Sequence, residues 1–265
     1  MTEDERRRAL DAIAGEVAVC TRCRLHQNRT RAVPGEGHPD TEVVFVGEGP
    51  GFNEDRQGRP FVGRAGDLLE KLLASVGWKR QEVFIANVVK CRPPDNRDPE
   101  PDEIAACSPF LTRQLQALDP AIVVTLGRYS MGRFSPGARI GQVHGTFQPA
   151  PTGLGADGAL VYFMYHPAAG LRDPTIEATS FRDMAGVPAA LLEARARRAA
   201  ARTTHERAIV QPNDTPTASH IAERESEPAA EPAAEPAEVA DDAIQSVASG
   251  LERDSADPSD QLGLL

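Results

Sequence analysis

Four cysteines open the chemical reading: Cys20, Cys23, Cys91 and Cys107. Cys20 and Cys23 stand as C-x-x-C, a spacing that favours a shared metal over a structural bridge. Four thiolates around one centre suit zinc and a [4Fe–4S] cluster alike, and spacing alone does not separate them. A second candidate is the stretch His166-Pro167-Ala168-Ala169-Gly170-Leu171-Arg172. A histidine at a strand end can donate to developing negative charge. Leu171 and Arg172 beside it can wedge into a duplex, as apolar side chains do in proteins that kink DNA. Phe61, flanked by glycines and a proline in Gly58-Arg59-Pro60-Phe61-Val62-Gly63, can offer a stacking face to a base or anchor its loop on the core. Gly47-Glu48-Gly49-Pro50-Gly51 lets a backbone approach a ligand closely. It is neither a dinucleotide fingerprint nor a P-loop.

These residues need a frame. Glu42–Val46 reads as a buried strand running into the Gly47–Gly51 loop. Ala65, Leu68, Leu69, Leu72, Leu73 and Val76 follow at helical spacing, and Gly77 ends the run. Val83–Val89 is a second strand, leading into Cys91 and a Pro/Asp/Asn/Arg loop. Asp102–Leu118 is helical, with an interruption or kink expected near Pro109. Ala121–Leu126 and Leu160–Met164 are the third and fourth strands, and a last helix covers about 187–201. Strands alternating with helices predict an α/β fold around a mostly parallel sheet, whose ligand site lies beyond the carboxyl ends of the strands. Three of those ends carry unusual loops: Glu48-Gly49-Pro50, Asn87 to Cys91, and His166-Pro167.

The formal net charge of −10 at first argues against a nucleic-acid partner. Its distribution reverses that. About 13 acidic and 2 basic residues fall between Ile209 and Leu265, which leaves the preceding chain near neutral, with about 26 acidic and 27 basic. From about Thr203 onward Pro, Ala, Glu, Ser and Asp dominate, and a disordered tail is expected there, since such a segment cannot bury enough apolar surface to offset its chain entropy. The domain expectation is therefore 1–202 for the folded unit and 203–265 for the tail. No apolar run approaches the roughly 18 residues of a membrane helix, and the charged start Met1–Leu10 has no secretory core, so a cytoplasmic location is expected.

In one order the chain carries GEGPG, RPFVGRAG-x-LL, N-x-V-K-C-R-P-P, A-C-x-P-F-L and HPAA-x-LR. Together, over about 10–200, these resemble the family-four uracil-DNA glycosylases. The resemblance implies a three-layer α/β/α fold on a four-stranded parallel sheet. It also implies a [4Fe–4S] cluster held by Cys20, Cys23, Cys91 and Cys107. By the same resemblance Glu48, Gly49 and Pro50 shape the uracil pocket, Phe61 stacks on the base, Asn87 pairs with its O4 and N3 edge, and His166 sits by O2. Glu48 and His166 are the expected catalytic pair; Glu48 stands where related families carry a water-orienting Asp, and its role is either to orient water or to crowd the C5 position and exclude thymine.

Two rivals are weighed. A glycosylase-like protein that traps uracil-DNA without turnover carries a basic inserted loop with a histidine after the second strand. Here that loop reads Arg92-Pro93-Pro94-Asp95-Asn96-Arg97-Asp98-Pro99, with none. A non-catalytic, metal-stapled DNA-binding module has no need of Phe61, Asn87 and His166 together. The expected partner is uracil-containing DNA, single- or double-stranded, bound by a monomer. The chain's last residues, Gln261, Leu262, Gly263, Leu264 and Leu265, resemble the short peptide by which bacterial replication proteins dock into the sliding clamp.

Overall fold

The computed structural model describes residues 1–210, with side chains to 203. The tail beyond, including the segment Gln261–Leu265, lies outside the described residues. In chain order the helices are α1 (Glu3–Ala18), α2 (Phe52–Gln57), α3 (Arg64–Ser75), α4 (Pro101–Leu118), α5 (Arg128–Phe134), α6 (Ile140–Val143), α7 (Pro167–Gly170) and α8 (Pro174–Val210). The strands are β1 (Glu36–Gly37), β2 (Val43–Gly47), β3 (Phe84–Asn87), β4 (Ile122–Leu126), β5 (Phe147–Pro149) and β6 (Leu160–Met164).

The strands form one sheet in the order β1-β3-β2-β4-β6-β5. The inner four, β3-β2-β4-β6, are parallel, and they are the four strands expected from sequence. The sheet is nevertheless six-stranded, because β1 and β5 add short antiparallel edges. Glu36–Gly37 and Phe147–Pro149 are too short and too exposed to show an alternating pattern, and each is a strand only because a neighbour offers it a free edge.

Every residue of the inner strands is buried, as expected of a sheet covered on both faces. Successive side chains point to opposite faces. Val44, Val46, Ala86 and Val123 pack with α1, α4 and α5 through Val17, Phe110, Leu111 and Phe134. Phe45, Ile85, Val124 and Tyr162 pack with α3 and α8 through Leu69, Leu72, Met184 and Val187. The result is the expected helix–sheet–helix sandwich.

Two helices differ from expectation. α4 runs through Pro109 as a single helix from Pro101, which occupies the first turn, where a missing N–H costs nothing. α8 begins at Pro174, well before 187, because Asp173 Oδ1 accepts from the Thr175 amide (2.8 Å) and caps its start. The helix runs through Gly186 and Pro188, with Met184, Val187 and Ala190 packed on the sheet. Among the described residues no helix is long and apolar enough to cross a membrane.

From β2 the chain passes to β3 on one side, then returns across β2 to β4 on the other. The reversal opens a crevice at the carboxyl ends of these strands, where Gly47, Asn87 and Leu126 lie.

Candidate active site

The crevice holds a cavity of about 220 Å³, whose wall includes Glu48, Gly49, Pro50, Phe61, Asn87 and His166. Every uracil-contacting residue expected from sequence is thus brought to one place. Leu171 and Arg172 follow directly after α7, the helix that His166 caps; both are exposed, and neither is among the residues lining the cavity.

The floor depends on Gly47. A Cβ there would lie 2.4 Å from Asn87 Oδ1 and 2.6 Å from Phe61 Cζ, so only glycine lets the amide and the ring approach one another. The loops after β2 and β3 stay paired past the strand ends, Val88 N donating to Gly47 O (3.0 Å) and Val89 N to Glu48 O (3.1 Å).

Phe61 is 6% exposed and has φ 49°, a left-handed conformation rare for a bulky residue. Such strain costs on the order of 1–3 kcal/mol and persists only where the surroundings enforce it. Here Arg80 donates to Phe61 O (3.0 Å) and to Pro60 O. On the other side Glu54 Oε1 accepts from Val62 N and Gly63 N, both at 2.9 Å. The ring lies 5.6 Å from that of His166, tilted by 30°.

Asn87 ends β3 and is 1% exposed. Its Oδ1 is buried and accepts no hydrogen bond. A buried unpaired acceptor costs roughly 1–3 kcal/mol, and at a cavity wall it marks the place of a ligand's donor.

His166 caps α7, its Nδ1 accepting from Ala168 N (3.1 Å). That bond assigns the proton of the neutral ring to Nε2, leaving Nε2–H free to donate. The ring is enclosed by protein, and this, aided by the positive charge of Arg172, pushes its pKa down to about 4. It is therefore a neutral donor at physiological pH. Close packing continues behind it: a Cβ on Gly127 (φ 89°) would meet His166 Cβ at 2.8 Å. Glu48 is pushed above the usual carboxylate range by burial and then by the charge of Asp98, against the pull of Arg128.

The four cysteines line a second cavity, behind the first, together with Val17, Lys90 and Phe110. None of the four is joined in a disulfide. Cys20 and Cys23 follow α1, Cys91 follows β3, and Cys107 lies in α4. Arg29 donates to Cys91 Sγ (3.1 Å) and Lys90 N to Cys107 Sγ (3.2 Å). Burial pushes Cys91 and Cys23 up and Cys107 to about 11. Lys90, itself 1% exposed, also reaches back towards the first cavity, its Nζ donating to Asn87 O (2.9 Å) and to Gln114 Oε1 (2.7 Å).

Several contributors escaped the sequence reading. Glu54 and Arg80 hold the Phe61 loop through backbone groups, contacts that no spacing announces. Asn96 and Arg97 line the active cavity from the loop after β3. Lys90 stood within a quoted motif, but its side-chain contacts are visible only in three dimensions.

A parallel sheet with a switch-point cavity thus brings a strand-end Asn, a strained Phe and a helix-capping His to one pocket. The family model for the uracil DNA glycosylase superfamily matches residues 34–185. A type-4 uracil-DNA glycosylase of Saccharolobus solfataricus is 47% identical over 188 residues, covering 69% of this chain and 86% of that protein. Another from Sulfurisphaera tokodaii is 48% identical over 177 residues, covering 63% and 78%. A third, from Thermotoga maritima, is 50% identical over 135 residues, covering 51% and 70%. The chain belongs to the uracil-DNA glycosylase superfamily and, within it, to the type-4 family.

Proposed function

We propose that this protein releases uracil from DNA by hydrolysing the N-glycosidic bond, leaving an abasic site for repair. The observation that carries this reading is the unpaired, buried Asn87 Oδ1 in a cavity flanked by a fixed aromatic ring and a neutral histidine donor.

The base must leave the duplex stack, or be met in a single strand, to enter so enclosed a site. Leu171 and Arg172, exposed after α7, are suited to fill the gap it leaves. Inside, Phe61 offers its face to the ring. Uracil N3–H supplies the donor that Asn87 Oδ1 lacks, and O4 accepts from the Asn87 amide. Cytosine presents an acceptor at position 3 and a donor at position 4, so both contacts would be mismatched. As the C1′–N1 bond lengthens, the sugar becomes oxocarbenium-like and charge collects on uracil O2. His166 Nε2–H is fixed in advance to receive that charge, with no proton transfer required. Water completes the hydrolysis. Glu48 at the wall is the carboxylate available to orient that water.

The chemistry of the donor set suits a [4Fe–4S] cluster. Four cysteines converge, two of them accept N–H donors, and the burial that raises the pKa of Cys23, Cys91 and Cys107 would be overcome when a metal centre deprotonates its ligands. The type-4 family membership, together with four cysteines around one cavity, is what supports a [4Fe–4S] cluster over zinc. When bound, the cluster would tie the N-terminal segment to the β3 loop and α4. The work on DNA would be that of a monomer in the cytoplasm. Gln261, Leu262, Leu264 and Leu265 would dock the tail into a sliding clamp. Loss of clamp binding on deleting 261–265, with uracil release from short DNA unchanged, is the expected result there.

The decisive experiment follows uracil-containing oligonucleotides, paired and unpaired. Free uracil and alkali-labile abasic sites are expected in many-fold excess over enzyme. DNA held covalently with no free uracil would instead make the protein a uracil trap.

A further inference from the structure

A larger cavity, about 750 Å³, opens between α4 and α5, next to the active one. One loop separates the two: Arg97 lines the active cavity and the adjacent Asp98 lines this groove. The ridge is firmly held, because Arg97 donates twice (2.7 and 2.9 Å) to Glu103, a carboxylate with no solvent exposure. The two cavities are therefore neighbours across a single loop.

The groove combines two properties. Its walls are apolar and aromatic, with Ile104 and Pro101 on the α4 side and Tyr129 on the α5 side. The Arg128 guanidinium carbon lies over the Tyr129 ring, 4.8 Å from its centre. Its inner end carries Arg133, which donates to Ser108 Oγ and to Thr112 Oγ1 (2.6 Å), both uncharged. No carboxylate pairs with Arg133 among the described residues, its Nε is buried without an acceptor, and burial alone depresses its pKa. An enclosed cation without a counter-charge is costly, and an anion brought to it repays that cost.

We propose that this groove is a subsite for the nucleotide flanking the target uracil, whose base lies against Tyr129 and the apolar wall and whose phosphate is drawn to Arg133. This rests on the reading of the first cavity as a uracil site. Continuity with that site favours a nucleotide over a peptide: an aromatic face with a cation beside it is how single strands are held regardless of sequence. The strand would thus be gripped one step from the flipped base.

The test uses the intact protein and short single-stranded oligonucleotides with one central uracil. In two of them the residue on one or the other side of uracil is an abasic spacer. Wild type should lose about tenfold in kcat/KM with the spacer on one side, within the range for a single base–aromatic contact, and much less with it on the other. Tyr129→Ser should lose about as much on the full substrate and then be indifferent to the spacer. Arg133→Lys, which keeps the charge but not the planar donors, should weaken binding to every substrate. Anisotropy with the same oligonucleotides reads the flank effect without turnover. Flank-dependent binding with no uracil release would keep the subsite and sink the catalytic reading. Equal behaviour of all three substrates in wild type, or a spacer penalty unchanged in Tyr129→Ser, would overturn the subsite and leave the groove to a protein ligand.

Discussion

Replacing His166 tests the central electrostatic argument. Its Nδ1 is occupied by the Ala168 amide, so the ring can serve only as an Nε2–H donor. One preorganised donor of this kind is worth about 2.7–4 kcal/mol, so His166→Ala should lose about 10²–10³ in the single-turnover rate. Binding of a non-cleavable uracil analogue in DNA should change far less, since charge on O2 develops only in the transition state. The pH profile separates this role from that of an ordinary histidine. With a pKa of about 4, only about one molecule in a thousand carries an imidazolium at pH 7. The wild-type rate should therefore show no step attributable to His166 near pH 6.5, the value of a free histidine; any loss attributable to His166 should come only as pH nears 4. Stability carries the same sign. The folded-state pKa lies below the unfolded value, so the native state prefers the neutral ring. That contribution is fully present above pH 6.5 and is lost as pH falls through about 4. His166→Ala lacks the titrating ring, so its melting temperature should decline less over that window. A step near pH 6.5 that vanishes in His166→Ala, or full activity in that variant, would refute the reasoning.

Asn87→Asp places an acceptor where uracil O4 also accepts, so uracil release should fall by at least tenfold while cytosine release rises from its baseline; an unchanged preference between matched oligonucleotides would remove Asn87 from base reading. Gly47→Ala drives a methyl into Asn87 Oδ1 and the Phe61 ring, and overpacking of about 1–3 kcal/mol should appear as a roughly 5- to 150-fold loss of kcat/KM with a smaller fall in melting temperature; wild-type kinetics would mean the floor is looser than described. Anaerobically purified protein should be brown with about four irons per chain, and Cys91→Ser should lower both iron content and thermal stability, whereas colourless, active protein with one zinc would replace the cluster by a single ion.

What the sequence determined by itself was whatever depends on local pattern. The inner strands were legible because each is a short, largely apolar run ending in Gly, Asn or a Tyr-His-Pro loop, and a covered parallel strand needs nothing more. The site residues were legible as types, since the motifs that carry the cysteines, Phe61, Asn87 and His166 occur in an order that matches one family. What only the tertiary structure decided were properties that arise between distant segments. The edge strands β1 and β5 exist because β3 and β6 leave open edges. Phe61 takes a left-handed backbone because Arg80 and Glu54 grip its loop from two sides. The acceptor of Asn87 is vacant because Gly47 and Phe61 close around it without offering a donor. His166 is neutral, with its proton on Nε2, because α7 begins at its ring and the surrounding protein desolvates it. Arg133 faces a groove without a counter-charge because α4 presents it only hydroxyls. A residue's chemical type is written in the chain, but its protonation, its vacant hydrogen bonds and its strain belong to the neighbours that folding brings to it.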